Sequence, residues 1–248
     1  MMGTYKTERE FLQHYNIHDH ELPLVSVDVA IFTLLEGRLQ VLLVKRGDFP
    51  HKGRWSLPGG FVNQQQDQDL SATARRKLLE KTGVDTSHLE QIATVGNHKR
   101  DPRGWSVTVL YMALIPYSPA QAIAAPVSDA RWWPLEEAAE QRLAFDHNEL
   151  ISMARERLRS KTGYTMLPAY IIDSPFSLTQ LQQAFEELLG TEVEKKSFRR
   201  RVLAADILEE VGEGLAESGR GRRAALYRPK KGGEQHAFVR VFGGVEEV

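Results

Sequence analysis

The chain has 248 residues, enough for two compact domains, and its 42% hydrophobic and 26% charged content supports a core in each. Its formal net charge is -1, so no global field draws it to nucleic acid, and any basic footprint has to be local. The absence of cysteine excludes disulfides and thiolate metal sites.

The opening, MMGTYKTEREFLQHY, is polar and helix-prone and predicts a helical extension over residues 1–20. It lacks the apolar stretch of a signal peptide, and no apolar run is long enough to span a bilayer. A cytoplasmic protein with no membrane partner is expected. VSVDVAIFTL (25–34) and LQVLLVK (39–45) are β-rich runs joined through Glu36-Gly37 as a hairpin. WSLPGGFV (55–62) is an extended segment entering a glycine turn. Residues 69–81 carry a helical pattern that Gly83 closes. QIATVGN and WSVTVLYMALI read as strands flanking the loop HKRDPRG; ARWWPLEEA (130–138) reads as a strand leading to a short helix, and 145–161 as an amphipathic helix. Alternating strands and helices make 1–160 an α/β domain.

Gly163, Pro168 and Pro175 break this pattern and mark a junction to a second domain, 161–248. There SLTQLQQAFEELLG (177–190) is a helix opened by a Ser177/Gln180 capping box, with Leu178, Leu181, Phe185 and Leu188 on one face and Gly190 at its end. A short turn leads to a second helix, KKSFRRRVLAA, and ILEEVGEGLAESGRGRRAALYRP then reads as two strands around a glycine-rich hairpin. Helix, tight turn, helix and hairpin outline a winged helix-turn-helix. The domain is neutral overall, but KKSFRRR holds five basic residues and no acid, and RGRRAALYRPKK holds six and none. A basic run alone is commonly a solvated face. Two runs on the two DNA-contacting parts of one motif favour double-stranded DNA. With Phe198, Val202 and Ala205 as the buried face of the second helix, the candidate DNA-binding residues are Lys195, Lys196, Ser197, Arg199, Arg200 and Arg201 on the helix and Arg220, Arg222 and Arg223 on the wing.

Residues 59–84, GGFVNQQQDQDLSATARRKLLEKTGV, resemble the box of the Nudix family, whose glutamates bind Mg²⁺ or Mn²⁺. The resemblance implies an α/β (α+β) Nudix fold, a mixed sheet sandwiched by helices. Arg76, Leu78, Glu80, Gly83 and Val84 fall in register, whereas the span from Gly60 is two residues too long, so the box's first glutamate position lands on Gln66 or Gln68. Where the box carries three further acids, the chain reads Lys77, Glu80 and Lys81. A hard dication requires oxygen ligands, so neither a catalytic metal nor hydrolysis by the usual route is expected. The lysines are either solvated surface residues or ammonium groups that take the metal's place against a ligand's phosphates. Arg100, Asp101 and Arg103, with His98 and Lys99, are either a charged turn or a phosphate-binding loop. Trp55 and Phe61 either stack on a base or pack in the core.

PHKGRWSLPGGFV, RDPRG, LAFDH and FSLTQLQQAFEELLG together resemble the NAD-related transcriptional regulator (NrtR) family. That resemblance implies a homodimeric repressor of NAD biosynthesis or salvage genes that binds an inverted-repeat operator and is released by ADP-ribose. It implies the ligand residues Arg46, Trp55, Gly59, Gly60, Phe61, Arg76, Lys77, Glu80, Lys81, His98, Arg100, Asp101, Arg103 and His147. Three alternatives stay open: an active Nudix hydrolase with Glu80 aided by Asp67, Asp69 or Glu136, a sugar-responsive regulator of the same architecture, and a module whose basic clusters meet an acidic protein.

Overall fold

A computed structural model describes residues 5–83, 85–86, 88–119, 127–214 and 223–242. Helix α1 (Glu8–His14) and a 3₁₀ turn (Ile17–Asp19) precede strands β1 (Leu24–Leu35), β2 (Arg38–Arg46), β3 (Trp55–Ser56) and β4 (Gly59–Phe61). Helix α2 (Leu70–Thr82), β5 (His88–Asn97), β6 (Ser106–Leu114), β7 (Val127–Pro134), α3 (Leu135–Glu140) and α4 (His147–Thr162) complete the first domain. The sheet runs β3-β2-β1-β6-β5, with β4 paired to β1 and β7 to β2; β1 and β6 are parallel and the other pairs antiparallel. This is the expected mixed sheet.

Side chains alternate faces along a strand, and both faces of β1 are covered. Ala30 and Phe32 join Leu150, Ile151, Ala154 and Leu158 of α4 in one core; Val27, Val29 and Ile31 join Ala74 and Leu78 of α2 in another. Burial on both sides explains why β1 reads as an almost unbroken apolar run. Helix α2 starts at Asp69, which accepts from the Ala72 N–H, and ends at Gly83 in the left-handed region (φ 68).

After α4, a 3₁₀ turn (Leu167–Tyr170) leads to β8 (Phe176–Ser177), α5 (Leu178–Leu189), α6 (Lys195–Ala204) and the hairpin β9 (Leu208–Gly214) and β10 (Ala224–Pro229), followed by a 3₁₀ turn (Gly233–Gln235). These elements form a winged helix-turn-helix with a three-stranded sheet β8-β10-β9. The segment around Pro168 is buried: Leu167 and Ile171 share the α4-side core with Ala184 and Leu188 of α5. The Glu187 carboxylate accepts from the Leu39 N–H at 2.8 Å, tying α5 to β2. No described helix is long and apolar enough to cross a membrane.

The Ser177/Gln180 box is present, with Ser177 Oγ accepting from the Gln180 N–H at 3.1 Å and Gln180 Oε1 from the Ser177 N–H at 2.8 Å. Ser177→Ala is expected to destabilise the protein by about 1 kcal/mol. Urea unfolding measures this, and Gln180→Ala added to Ser177→Ala is expected to cost less than the sum of the two single changes.

Candidate functional site

A cavity of about 440 Å³ opens above the β1–β4 edge of the sheet. Ser26 and Asp28 come from β1, Arg46 from the end of β2, and Leu57, Gly59, Gly60 and Phe61 from the glycine turn. Helix α2 contributes Lys77, Glu80 and Lys81; the loop before β6 contributes Arg100, Asp101 and Arg103; Phe145 and His147 come from the start of α4. Backbone packing demands the turn's composition. A Cβ on Gly59 would overlap Asp28 Oδ1 and the Val27 carbonyl, and one on Gly60 would stand 3.1 Å from Cε of Lys77.

The cavity's back wall is a buried polar network. Arg100 donates from Nε and Nη2 to the two oxygens of Asp146 at 2.9 and 3.0 Å, and Nη2 lies 3.6 Å from Asp28 Oδ2. The Thr108 hydroxyl donates to Asp28 Oδ2 at 2.7 Å. His147 Nδ1 accepts from the Leu57 N–H at 2.8 Å, which places any proton of the neutral ring on Nε2, 3.7 Å from Asp28 Oδ1. Burial pushes the His147 pKa down and favours that neutral ring.

The front wall is cationic. Arg103 grips Asp101 through Nε and Nη2 at 3.0 and 2.7 Å and lies 4.8 Å from the Phe61 ring. Arg46 stacks 4.8 Å from Phe145 while Nε donates to the Pro50 carbonyl at 2.8 Å. Its pKa is lowered by desolvation and then by Arg103. Lys77 Nζ lies 3.3 Å from Glu80. Lys81 faces the cavity with no ion-pair partner among the described residues; desolvation, opposed by Asp28 and reinforced by Lys77, pushes its pKa down to about 8.

Three of the expected ligand residues stand outside this lining. Arg76 is enclosed by acids: Asp67 takes Nε and Nη2 at 2.6 Å each, and Glu80 takes Nη1 at 3.0 and 3.2 Å. The arginine hydrogen bond holds the Asp67 carboxyl well below its usual range. Trp55 is half-buried and packs edge-on against Trp133 at 5.3 Å beside the α4-side core. His98 is exposed in the turn before Arg100. Conversely, the residue-level reading missed Ser26, Asp28, Leu57 and Phe145. Of these, Asp28 left a signal, a lone acid inside an apolar strand.

The residues present do not fit a catalytic dication. Among the described residues no group of three or more His, Asp or Glu is placed to hold a metal. Glu80 is held by Arg76 and Lys77. Of the acids considered as its helpers, Asp67 is spent on Arg76, Asp69 caps α2, and Glu136 faces Arg38 on the surface at 3.8 Å.

In the second domain the Glu194 carboxylate caps α6, accepting from the N–H groups of Lys196 and Ser197 at 2.9 and 2.6 Å. Lys195, Lys196 and Arg200 are exposed; Ser197 and Arg199 are half-buried, and Arg199 Nη2 donates to Thr179 Oγ1 at 3.1 Å. Arg201 is half-buried and engaged within the chain. Its guanidinium lies 3.7 Å from the Phe242 ring centroid and donates to the carbonyls of Arg240 and Val241. Ala205 is the half-buried C-cap of α6, so Phe198 and Val202 alone form its buried face. Arg223 is exposed just before β10, while Arg220 and Arg222 lie outside the described residues. Arg228 and Lys230 of the wing pair with Glu209 and Asp206.

Comparison with known proteins matches both halves. Residues 25–153 fit the NUDIX domain and residues 168–228 the NrtR DNA-binding winged helix domain. The chain is 48% identical to the ADPR responsive transcriptional repressor NtrR of Acinetobacter baylyi, over 90% of this chain and 89% of that one. The structure of Shewanella oneidensis NrtR complexed with a 27mer DNA superposes with a TM-score of 0.81 at 45% identity, covering 88% of this chain and 98% of that one. The NUDIX domain of the same Shewanella protein complexed with ADP ribose superposes with a TM-score of 0.60 at 49% identity, covering 61% of this chain and 99% of that domain. The chain belongs to the NrtR family, joining a NUDIX domain to an NrtR DNA-binding winged helix.

Proposed function

We propose that the protein is a cytoplasmic, homodimeric repressor of NAD biosynthesis or salvage genes that ADP-ribose releases from DNA. Residues 1–160 form the sensing domain and 161–248 the DNA-reading domain. The observation that carries this reading is Lys81, an ammonium lining the cavity with no ion-pair partner among the described residues, at a position where the Nudix box has an acid. Five cationic side chains line the cavity against three carboxylates, an excess that complements the roughly two negative charges of a diphosphate. The volume lies within the ~300–1,000 Å³ usual for small-molecule sites. Lysine and arginine bind the phosphates directly, so the ligand is held without a metal and is not cut. The relatives' printed descriptions, an ADPR responsive repressor and NrtR structures with DNA and with ADP ribose, support the same effector and nucleic acid.

Lys195, Lys196, Arg199 and Arg200 reach the major groove from α6, and Arg223 serves the wing. One winged helix covers a single half-site, and two copies on an inverted repeat set half-sites about one helical turn or a small multiple apart.

ADP-ribose binding in EDTA, followed by calorimetry, tests the sensor. Lys81→Met removes a charge-assisted hydrogen bond worth ~1.5–3 kcal/mol and is expected to weaken binding by at least tenfold; unchanged affinity rejects the site. The free ammonium has a lowered pKa and a bound phosphate raises it again, so binding takes up a proton above pH 8. Affinity is therefore expected to fall by about tenfold from pH 7 to pH 9, and that fall disappears in Lys81→Met.

Selection from a random duplex pool, with anisotropy on the enriched sequence, tests the reader. Binding to an inverted repeat is expected to weaken by ~10³–10⁵ between 50 and 200 mM salt if six to ten phosphates are contacted, and to weaken further with ADP-ribose. ADP-ribose incubated with the protein and Mg²⁺ is expected to stay intact; rapid release of AMP would establish a hydrolase instead.

A further inference from the structure

After the 3₁₀ turn at Gly233–Gln235, residues 236–242 cross back to residues 163–166, which directly follow α4, and bind them along the backbone. Met166 N–H donates to the His236 carbonyl at 3.2 Å, Phe238 N–H to Tyr164 at 2.6 Å and Phe242 N–H to Gly163 at 2.6 Å, and Thr165 bridges Ala237. The approach is close: a Cβ on Gly163 would stand 3.0 Å from Val241 Cγ1.

The same segment holds α6. Phe242 is buried, with its ring 5.0 Å from Phe185 of α5 and 5.5 Å from Phe198 of α6. Arg201 closes the contact from α6, its guanidinium over Phe242 and its donors on the carbonyls of Arg240 and Val241. The two buried side chains of α6, Phe198 and Val202, both belong to the cluster that Phe242 completes. Helix α5 shares that cluster through Leu178, Leu181, Phe185 and Leu189, and is anchored in addition by Ala184 and Leu188 in the α4-side core and by the Glu187–Leu39 hydrogen bond.

At its other end α4 forms part of the cavity wall. Asp146, its N-cap, binds Arg100; His147 and Phe145 line the cavity. The helix is sixteen residues long, about 24 Å, and its buried face is packed in the core, so a shift at one end is carried to the other.

We propose that residues 236–242 are a strap through which occupancy of the cavity sets the placement of α6, with Phe242 and Arg201 as its fastening residues. The inference rests on the reading that ADP-ribose in the cavity controls DNA binding. Slack in the strap uncouples the two sites while leaving each able to bind.

The test uses the full chain, ADP-ribose and the duplex enriched by selection. The readout is the ratio of duplex Kd with and without saturating ADP-ribose, together with its reciprocal, the ratio of ADP-ribose Kd with and without duplex, which linkage requires to be equal. The unaltered protein is expected to show a ratio of ~5–150-fold. Phe242→Leu keeps apolar volume and removes the ring stack. It is expected to bring both ratios below twofold while duplex affinity without ligand and ADP-ribose affinity without duplex each stay within threefold. Arg201→Met keeps the stem and removes the carbonyl bonds; it is expected to reduce both ratios in the same way, with ADP-ribose affinity unchanged. Ratios that survive undiminished in both folded variants overturn the strap alone. A ratio of one in the unaltered protein overturns the regulatory reading itself, and the strap with it.

Discussion

The bidentate pair between Arg100 and Asp146 is the interaction on which the molecule's organisation depends. It joins the loop before β6 to the N-terminus of α4 and, with Asp28 and Thr108 behind it, fastens both to the sheet. Breaking a buried pair by removing one partner leaves an uncompensated charge and costs about 3–5 kcal/mol. The loop, the histidine wall and the start of α4 therefore stay together. Gly59 belongs to the same constraint, because only a residue without a side chain lets β4 close over Asp28.

Around that fixed wall the charge logic of a Nudix site is inverted. A divalent ion collects oxygen ligands and polarises what it binds. An ammonium donates hydrogen bonds and attracts phosphate without offering a Lewis acid or an activated water. Arg76 makes the same point from the other side. Free in the cavity it would add charge, but Asp67 and Glu80 consume it, so the inserted loop and the box helix are locked to each other. The cations with more freedom, Arg46, Lys77 and Lys81, line the cavity.

Much of the fold was legible because its punctuation is chemical. Gly83 and Gly190 sit in left-handed caps, the Ser177/Gln180 box opens α5, and Glu36-Gly37 turns between β1 and β2. The cavity was partly legible, since glycine turns, paired arginines and displaced acids carry their signal in residue type. Direction does not. Arg76, Lys77 and Lys81 share one helix, yet what each meets depends on a loop nine residues upstream and a strand far from it in sequence. Arg201 was indistinguishable from Arg199 and Arg200 in KKSFRRR, because its partner lies forty residues later in the chain. Asp28 stood out as a lone acid in an apolar strand, but which residues it meets depends on Thr108 and Arg100, far from it in sequence.

The unequal fastening of the two helices bears on how a small ligand can govern DNA binding. Helix α5 shares its core with the sensing domain, so displacing the whole winged helix would tear apolar surface that α4, the Leu167–Tyr170 turn and α5 bury together. Helix α6 buries two side chains, Phe198 and Val202, in the cluster it shares with α5 and Phe242, and Arg201 fastens it to residues 240–242. Under the proposed strap, the response is a change in the pose of α6. Base-edge hydrogen bonds are short and directional, so a modest change in pose costs several of them at once, whereas phosphate contacts by flexible lysines adapt. A ligand acting in this way would erode recognition of base sequence more than general attraction to DNA.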